Sequence, residues 1–267
     1  MQLNRIGAII LRQYYLLRGS LTRIIPLFVW AAIDIVLWGF ITKFLNNITA
    51  STHDFVPMLL GAILLWDFLV RAMQGTSMAF MEDMWSRNFL NMFASPVTVG
   101  EYVSGLIITS ICTTAVGLTA MLILATLVFK LSLFSYGIML VPFLFVLFLF
   151  GIALGILGCA MLLRLGPAAE WFIWPIPALI SPFACVFYPL STLPQAMQLV
   201  SHILPPMYVF ESMRSIIAGG HADVNMLYTG FGLAVLYIII ATLIYMRVFR
   251  HAVRTGLISR YSAESVA

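Results

Sequence analysis

The chain has 267 residues, of which 62% are hydrophobic and only 9% are charged, and its mean hydropathy is +1.04. A soluble domain of this size does not need so much apolar surface, so the composition excludes an ordinary soluble protein and indicates an integral membrane protein. The formal net charge of +4 is carried by arginines that flank apolar segments, where anionic lipid headgroups are the ordinary partner, and this argues against nucleic-acid binding.

The first 22 residues form a separate predicted element. Residues on one face of a helical wheel are apolar (Leu3, Ile6, Ile10, Tyr14, Leu17 and Leu21), and arginines lie roughly opposite (Arg5, Arg12 and Arg23). This pattern predicts an amphipathic helix in the membrane surface, with a plain continuation of the first span as the alternative. No small-residue cleavage site follows, so a cleaved signal peptide is not expected.

Six apolar runs occupy most of the remaining chain, and a helix of about 20 apolar residues crosses the hydrocarbon of a bilayer. Their bounds are Ile24–Phe44, Pro57–Phe80, Val103–Phe129, Gly137–Leu163, Ala168–Phe187 and Tyr228–Phe249. They lack the alternation of a membrane β-barrel, and helices satisfy their own backbone hydrogen bonds in lipid. The sequence therefore predicts an all-α polytopic membrane protein with six transmembrane helices in a single domain, residues 1–267.

Most arginines fall on one side of these spans: Arg5, Arg12, Arg18, Arg23, Arg87, Arg164, Arg247, Arg250, Arg254 and Arg260. The other side has only Lys43, Lys130 and Arg214. By the positive-inside rule, both termini and the joint between the second and third spans are predicted to be cytoplasmic.

Three ionisable side chains fall near the middle of the first two spans. Asp34 and Asp67 each lie about ten residues inside their spans, which places both near the bilayer midplane. Arg71 lies one helical turn from Asp67 on the same face. We expect these three residues to form a cluster that holds the two spans together, with a proton relay or a substrate contact as the alternative.

The joint between the second and third spans, residues 81–101, has the sequence MEDMWSRNFLNMFASPVTVGE. It is too polar for the membrane core, yet it contains Trp85, Phe89 and Phe93. This combination predicts a short amphipathic helix over about residues 84–94. Such a helix is typical of a docking element for a partner, or of a linker that rests its aromatic side chains on lipid.

The end of this helix is predicted at Ser95-Pro96, because proline disfavours helical geometry in the residue before it. Thr98 or Gly100 can then start the next helix, with Glu101 in its first turn.

Two further features concern the later spans. Gly151-x-x-x-Gly155 in the fourth span predicts close helix packing. The fifth span is expected to be kinked, because it contains prolines that lack a backbone N–H (Pro175, Pro177 and Pro182).

Two apolar stretches beyond Pro189, Pro194–Leu204 and Pro206–Ala218, are too short to cross a bilayer and predict a re-entrant helical pair over residues 194–218. Glu211 and Arg214 are expected to pair there, with a gating role as the alternative.

Catalytic signatures are missing from the sequence. It contains no HExxH or GxSxG motif, and its three cysteines have no metal-ligand spacing. Neither of the two lysines, Lys43 and Lys130, belongs to a GxxxxGK[ST] phosphate loop. We therefore expect no metal, no cofactor and no ATPase site on this chain itself.

Two stretches resemble ABC-2 type transporter permeases. The run Glu82…Arg87-Asn88…Leu90…Ala94-Ser95-Pro96-Val97 is similar to the ERGTLExLLxSPV stretch of that family, with Asn88 where glycine is usual. The run Leu204-Pro205-Pro206-Met207-Tyr208…Glu211…Arg214, followed by Gly219-Gly220, is similar to its NPxxYxxExxR…G stretch, with Leu204-Pro205 where Asn-Pro is commoner.

The resemblance implies that the joint carries a coupling helix that docks in a cleft of a separate ATP-binding subunit. The implied contact residues are Glu82, Trp85, Arg87, Asn88, Phe89, Phe93, Ser95 and Pro96. ATP and Mg would be held by two copies of that partner. The resemblance further implies a homodimer joined through the first and fifth spans, and a re-entrant pair at the external mouth of the pathway.

The expected function is export of a drug, lipid or lipid-linked glycan across a bacterial cytoplasmic membrane. Candidates to line the pathway are Trp30, Trp38, Trp66 and Trp174, with lipid anchoring or core packing as the alternative. An ion-coupled carrier and an intramembrane lipid-modifying enzyme, both using Asp34 and Asp67, are the alternative functions.

Overall fold

The structure is a computed structural model that describes residues 2–49, 56–86, 92, 95–131, 137–221 and 223–257. Within these ranges the regular structure is helical, without a strand. The α-helices are α1 Leu3–Arg18, α2 Leu21–Thr49, α3 Gly61–Trp85, α4 Val99–Phe129, α5 Leu140–Leu165, α6 Glu170–Ile173, α7 Ile176–Ile180, α8 Gln195–Ser201, α9 Pro205–Ile217 and α10 Val224–Arg254. The predicted all-α class is therefore confirmed.

Five of these helices are long and apolar enough to cross a membrane, in some cases with a flanking turn. The candidate spans are Leu21–Ile48, Met58–Trp85, Val99–Phe129, Gly137–Leu165 and Val224–Arg254. They correspond to the first four predicted spans and the last one.

The predicted fifth span, Ala168–Phe187, is not one continuous helix. It consists of α6 and α7, followed by turns. Pro175 lies at the break between the two short helices, Pro177 lies in the first turn of α7 and Pro182 follows α7, so the missing backbone donors interrupt the helix more strongly than a kink would. A sixth crossing in this region stays a prediction.

The centre of the bundle is formed by α3 and α5, the two candidate spans whose apolar windows are 56% buried. Their glycines allow a close approach of the two backbones. A Cβ atom on Gly151 would lie 2.7 Å from the backbone oxygen of Leu69, and one on Gly155 would lie 2.8 Å from that of Met73. The close packing predicted for this glycine pair is confirmed.

The remaining long helices pack around this centre. Helix α10 packs against α5 and α9, whereas α4 packs against α3, α1 and α2. Helix α2 is the least buried of the five candidate spans, with 13% of its apolar window inside the structure. It therefore presents a long apolar face to its surroundings.

The short helices α8 and α9 fall within the two stretches predicted as a re-entrant pair. Helix α9 is firmly packed, because Met207, Val209, Phe210 and Met213 are buried in the core. Their position relative to a bilayer stays a prediction.

Candidate functional site

Helix α1 packs onto the end of the bundle where α3 ends and α4 begins. Ile6 and Ile9 of α1 are buried, and the Ile9 side chain occupies the space beside Gly105 of α4. A Cβ atom on Gly105 would lie only 2.6 Å from Cγ2 of Ile9. The absence of a side chain at Gly105 therefore allows α1 to dock closely.

A buried carboxylate joins three helices at this end of the bundle. Asp83, near the end of α3, accepts two hydrogen bonds from the Arg12 guanidinium of α1, one of them at 2.9 Å from Nη1 to Oδ2. The Tyr102 hydroxyl of α4 donates to the same Oδ2 at 2.6 Å. Asp83 and Tyr102 are both buried. We call Arg12, Asp83 and Tyr102 the Asp83 node.

Electrostatics favour the charged form of the Arg12 guanidinium. The hydrogen bond from Arg12 to Asp83 raises the pKa of the guanidinium above its ordinary value, although partial burial opposes that shift. Arg12 therefore stays a cation, and the bidentate geometry fixes the orientation of α1 as well as its distance from α3.

A second buried carboxylate fastens the start of α4. Thr98 caps the helix and forms a capping box with Glu101, whose Oε2 accepts from the Thr98 backbone N–H at 2.9 Å. Glu101 also accepts from the backbone N–H of Gln2 at 2.7 Å, and its Oε2 lies 3.5 Å from Nη1 of Arg5. The first of the two predicted helix starts, Thr98, is confirmed, and it is joined directly to the start of α1.

A third ion pair joins α2 to the same region. Nε of Arg23 lies 3.5 Å from Oε1 of Glu82, which precedes Asp83 at the end of α3. Both ends of the joint are therefore held by contacts with the N-terminal helices. Glu82 and Asp83 make these contacts at the end of α3, and Glu101 and Tyr102 make them at the start of α4.

The sequence did not single out Asp83 or Tyr102, and the helical wheel placed Arg12 on the polar face opposite the membrane-facing residues. In the structure Arg12 faces the bundle, whereas the predicted apolar face includes Leu3 and Tyr14, which are exposed. The usable signal was the adjacent pair Glu82-Asp83 at the end of an apolar span, in a chain whose N-terminal segment is rich in arginine.

Only part of the predicted coupling helix lies within the described residues. Trp85 ends α3 and is 51% exposed, and Ser95 and Pro96 form a turn before α4. Glu82 pairs with Arg23, whereas four further predicted contact residues lie outside the described residues: Arg87, Asn88, Phe89 and Phe93. The helix over residues 84–94 and its contact with a partner stay predictions.

Of the predicted intramembrane cluster, the structure brings two members into direct contact. Nε of Arg71 lies 2.6 Å from Oδ2 of Asp67, one turn away on α3. Arg71 also packs over Gly117 of α4, where an added Cβ atom would lie 3.3 Å from Cδ. Asp34 of α2 is close enough to both partners to interact electrostatically, but it takes part in none of the ion pairs between described residues.

At the other end of the bundle, Glu211 and Arg214 of α9 hold the irregular segment that precedes α8. Nη2 of Arg214 lies 3.1 Å from Oε1 of Glu211 and donates to the backbone oxygen of Tyr188 at 2.8 Å. Arg214 also donates to the carbonyls of Cys185 and Val186, and Glu211 accepts from the Leu190 backbone N–H. Cys185 has a φ of +56°, a conformation that needs such support.

The four candidate pathway tryptophans have different surroundings. Trp38 stacks on Phe187 with ring centroids 5.2 Å apart, and Trp66 packs beside Phe210 at 6.4 Å. Trp30 is 63% exposed on α2, and the exposed Trp174 donates to Glu170 at 3.1 Å. Their role in lining a pathway stays a prediction.

Comparison with known families gives a match over much of the chain. The model of the family described as ABC-2 type transporter matches residues 8–218. No curated protein matches the chain. The matched range includes the Asp83 node, the joint, the Asp67–Arg71 pair and the Glu211–Arg214 pair. In the part of the chain that the structure describes, no group of His, Cys, Asp and Glu side chains could hold a metal ion.

Proposed function

This chain belongs to the ABC-2 type transporter family, and on that premise we propose that it is the permease subunit of an ATP-driven exporter. Two copies of a separate ATP-binding subunit would hold ATP and Mg²⁺, since this sequence contains no phosphate loop. The proposed cargo is an amphipathic or hydrophobic compound, such as a drug, a lipid or a lipid-linked glycan. It would be moved outward across a bacterial cytoplasmic membrane.

Besides the family match, one observation supports this proposal: both ends of the joint are held by contacts with the N-terminal helices. Partly buried hydrogen bonds connect Asp83, near the start of the joint, to Arg12 of α1, and Glu101, at the end of the joint, to Gln2, the residue that precedes α1. A displacement of the joint would therefore move α1, α3 and α4 together. This rigidity suits an element that transmits motion from a partner subunit into the membrane helices.

The proposed assembly is a homodimer of one-domain chains with six spans each. In it the segment containing α6 and α7 supplies the fifth crossing, and both termini face the cytoplasm. The long apolar face of α2 and the exposed Trp171 and Phe172 of α6 support pairing through these two regions. Helices α8 and α9 would form the re-entrant pair at the external mouth.

The experiment is co-purification of this chain with a candidate ATP-binding subunit, followed by measurement of ATP hydrolysis and cargo export in proteoliposomes. Phe89→Ala and Arg87→Ala, both in the proposed coupling helix, should reduce cargo-stimulated hydrolysis. Arg254→Ala at the end of α10, distant in sequence from the joint, is the control and should not. Export that continues without any ATP-binding subunit, driven by an ion gradient, would instead support the carrier that uses Asp34 and Asp67.

The predicted topology has its own test. A cysteine introduced at position 88 should react with a membrane-impermeant maleimide only after the cytoplasmic face is opened. Reaction in intact cells would place the joint outside and overturn the coupling role.

A further inference from the structure

One face of α10 carries a row of side chains that changes from apolar to basic along the helix. Successive members are four or three residues apart, so they share this face: Leu236, Ile240, Leu243, Arg247, Arg250 and Arg254. The opposite face, which includes Ala241, Tyr245 and Ala252, is buried in the bundle. The row, which we call the α10 row, therefore points away from the helices that pack against α10.

The side chains of the α10 row are accessible in the described part of the chain. Leu236, Ile240 and Leu243 are 48%, 43% and 47% exposed. Arg247 and Arg250 are exposed as well, and neither takes part in the ion pairs between described residues. Exposed apolar side chains followed at once by cations are typical of the boundary between hydrocarbon and headgroups at the end of a membrane span.

A ring contact gives the depth of this boundary in the bundle. Tyr245 of α10 lies beside Phe80 of α3, with ring centroids 6.3 Å apart. Phe80 lies one turn before Asp83, so Arg247 is near the level of the Asp83 node, where α1 packs. This is the end of the bundle at which the predicted topology places the cytoplasmic leaflet.

The basic part of the row extends beyond the headgroups. At 1.5 Å per residue, Arg247, Arg250 and Arg254 lie about 6, 10 and 16 Å beyond Leu243. The headgroup layer on each side of a bilayer is about 5–8 Å thick. Arg247 and Arg250 can reach this layer with their long side chains, whereas Arg254 lies beyond it.

Charge and position favour a lipid over other occupants of this face. A second copy of the chain, paired through the same face with parallel helices, would bring its own arginines against these, and like charges repel. An acidic soluble protein could meet the arginines, but it could not cover apolar side chains that lie within a membrane span. An anionic phospholipid carries a phosphate and acyl chains in the same order as the cations and apolar side chains of the row.

We propose that the α10 row is a binding site for an anionic phospholipid of the cytoplasmic leaflet. Arg247 and Arg250 hold the phosphate, which a guanidinium can bind through two parallel hydrogen bonds. An acyl chain lies along the apolar side chains of the row. The inference goes beyond transport, because it assigns a lipid that the protein binds whatever its cargo is.

Photocrosslinking on the full chain in dodecyl maltoside tests the proposal. Phosphatidylglycerol and phosphatidylcholine, each with a diazirine in an acyl chain, are titrated separately, and mass spectrometry quantifies their adducts on residues 236–243. Phosphatidylglycerol should label this segment at the lower concentration. A basic residue near a lipid surface contributes about fivefold in affinity, so Arg250→Gln should raise the half-saturating concentration of phosphatidylglycerol about fivefold, and Arg247→Gln combined with Arg250→Gln about 20-fold.

Matched variants separate a lipid site from a general charge effect. Arg254→Gln removes the same charge from the same face beyond the headgroup layer, so it should leave the labelling unchanged. Arg247→Lys combined with Arg250→Lys keeps both charges and should retain a weaker preference for phosphatidylglycerol, because an ammonium cannot bind phosphate bidentately. Glycerol phosphate in excess, which has the phosphate but no acyl chain, should not suppress the labelling.

Equal labelling by the two lipids, or full labelling by phosphatidylglycerol in the double glutamine variant, would overturn the proposal. A loss of preference in the double lysine variant, or an effect of Arg254→Gln equal to that of Arg250→Gln, would contradict the assignment of the phosphate to Arg247 and Arg250. Suppression by glycerol phosphate would overturn the lipid in favour of a soluble phosphate compound. Because crosslinking requires neither ATP nor an ATP-binding subunit, its result is independent of the exporter proposal.

Discussion

Replacing Asp83 with asparagine should release α1 from the ends of α3 and α4. The asparagine side chain keeps the size of aspartate but loses its charge, and its amide NH₂ group would face the donors of Arg12. Breaking a fully buried ion pair costs about 3–5 kcal/mol. The side chain of Asp83 is 2% exposed but that of Arg12 is 27% exposed, so water can replace part of the lost hydrogen bonding. We therefore expect a smaller loss of about 2 kcal/mol.

Hydrogen–deuterium exchange of the α1 amides, Leu3–Arg18, measures this loss directly. If α1 opens locally, a change of about 2 kcal/mol accelerates exchange by about 30-fold. Glu82→Gln is the matched control, because Glu82 is the neighbouring carboxylate and its pair with Arg23 is 3.5 Å long, with both side chains 31% exposed. Such an exposed pair is worth about 1 kcal/mol or less, so the control should accelerate exchange by no more than about fivefold.

The bracing role of the Asp83 node would be refuted by wild-type exchange rates in the Asp83→Asn protein, or by an equal effect of Glu82→Gln. A double-mutant cycle with Arg12 gives a further check. Arg12→Leu and Asp83→Leu should each destabilise the docking of α1, but their combination should cost less than the sum, because neither charge is then buried without its partner.

Three further predictions concern other contacts. Gly151→Ala should lower the free energy of unfolding by about 1–3 kcal/mol, because the new Cβ atom would press on the α3 backbone. Thermal denaturation in detergent measures this loss. Gly232→Ala is the control and should not lower the melting temperature, because no atom lies within 4 Å of a Cβ atom added there. Arg214→Lys should speed amide exchange in the segment before α8, because one ammonium group cannot reach every carbonyl that the guanidinium holds; unchanged exchange would contradict this. Exchanging Asp67 and Arg71 keeps an i,i+4 ion pair, so the protein should elute as a single folded species in size-exclusion chromatography. Aggregation of the exchange variant would refute a purely structural pair. Loss of export by a well-folded exchange variant would favour a functional role for these residues.

Features that depend on local sequence were predictable. Long apolar runs gave the candidate spans, the residues after Pro96 gave two candidate starts of α4, of which Thr98 is the observed cap, and Gly151-x-x-x-Gly155 gave a close helix contact. The prolines of the fifth predicted span indicated a kink, but they could not show that the helix would divide into α6 and α7, since neighbouring groups decide whether a broken helix continues.

The candidate site was predictable only in part. The joint was recognised from its polarity and its resemblance to a family, whereas Asp83, Tyr102 and the inward direction of Arg12 were not. A helical wheel shows which residues share a face, but not which partner that face meets.

The sequence by itself determined that this is a helical membrane protein without a phosphate loop of its own, because hydropathy, helix length and motif spacing are properties of neighbouring residues. The tertiary structure decided how those helices pack against one another. Arg12 and Asp83 are separated by 71 positions, and Tyr102 lies 19 positions beyond Asp83. Gly105 lets α1 approach α4 closely, and such an approach depends on the packing of whole helices.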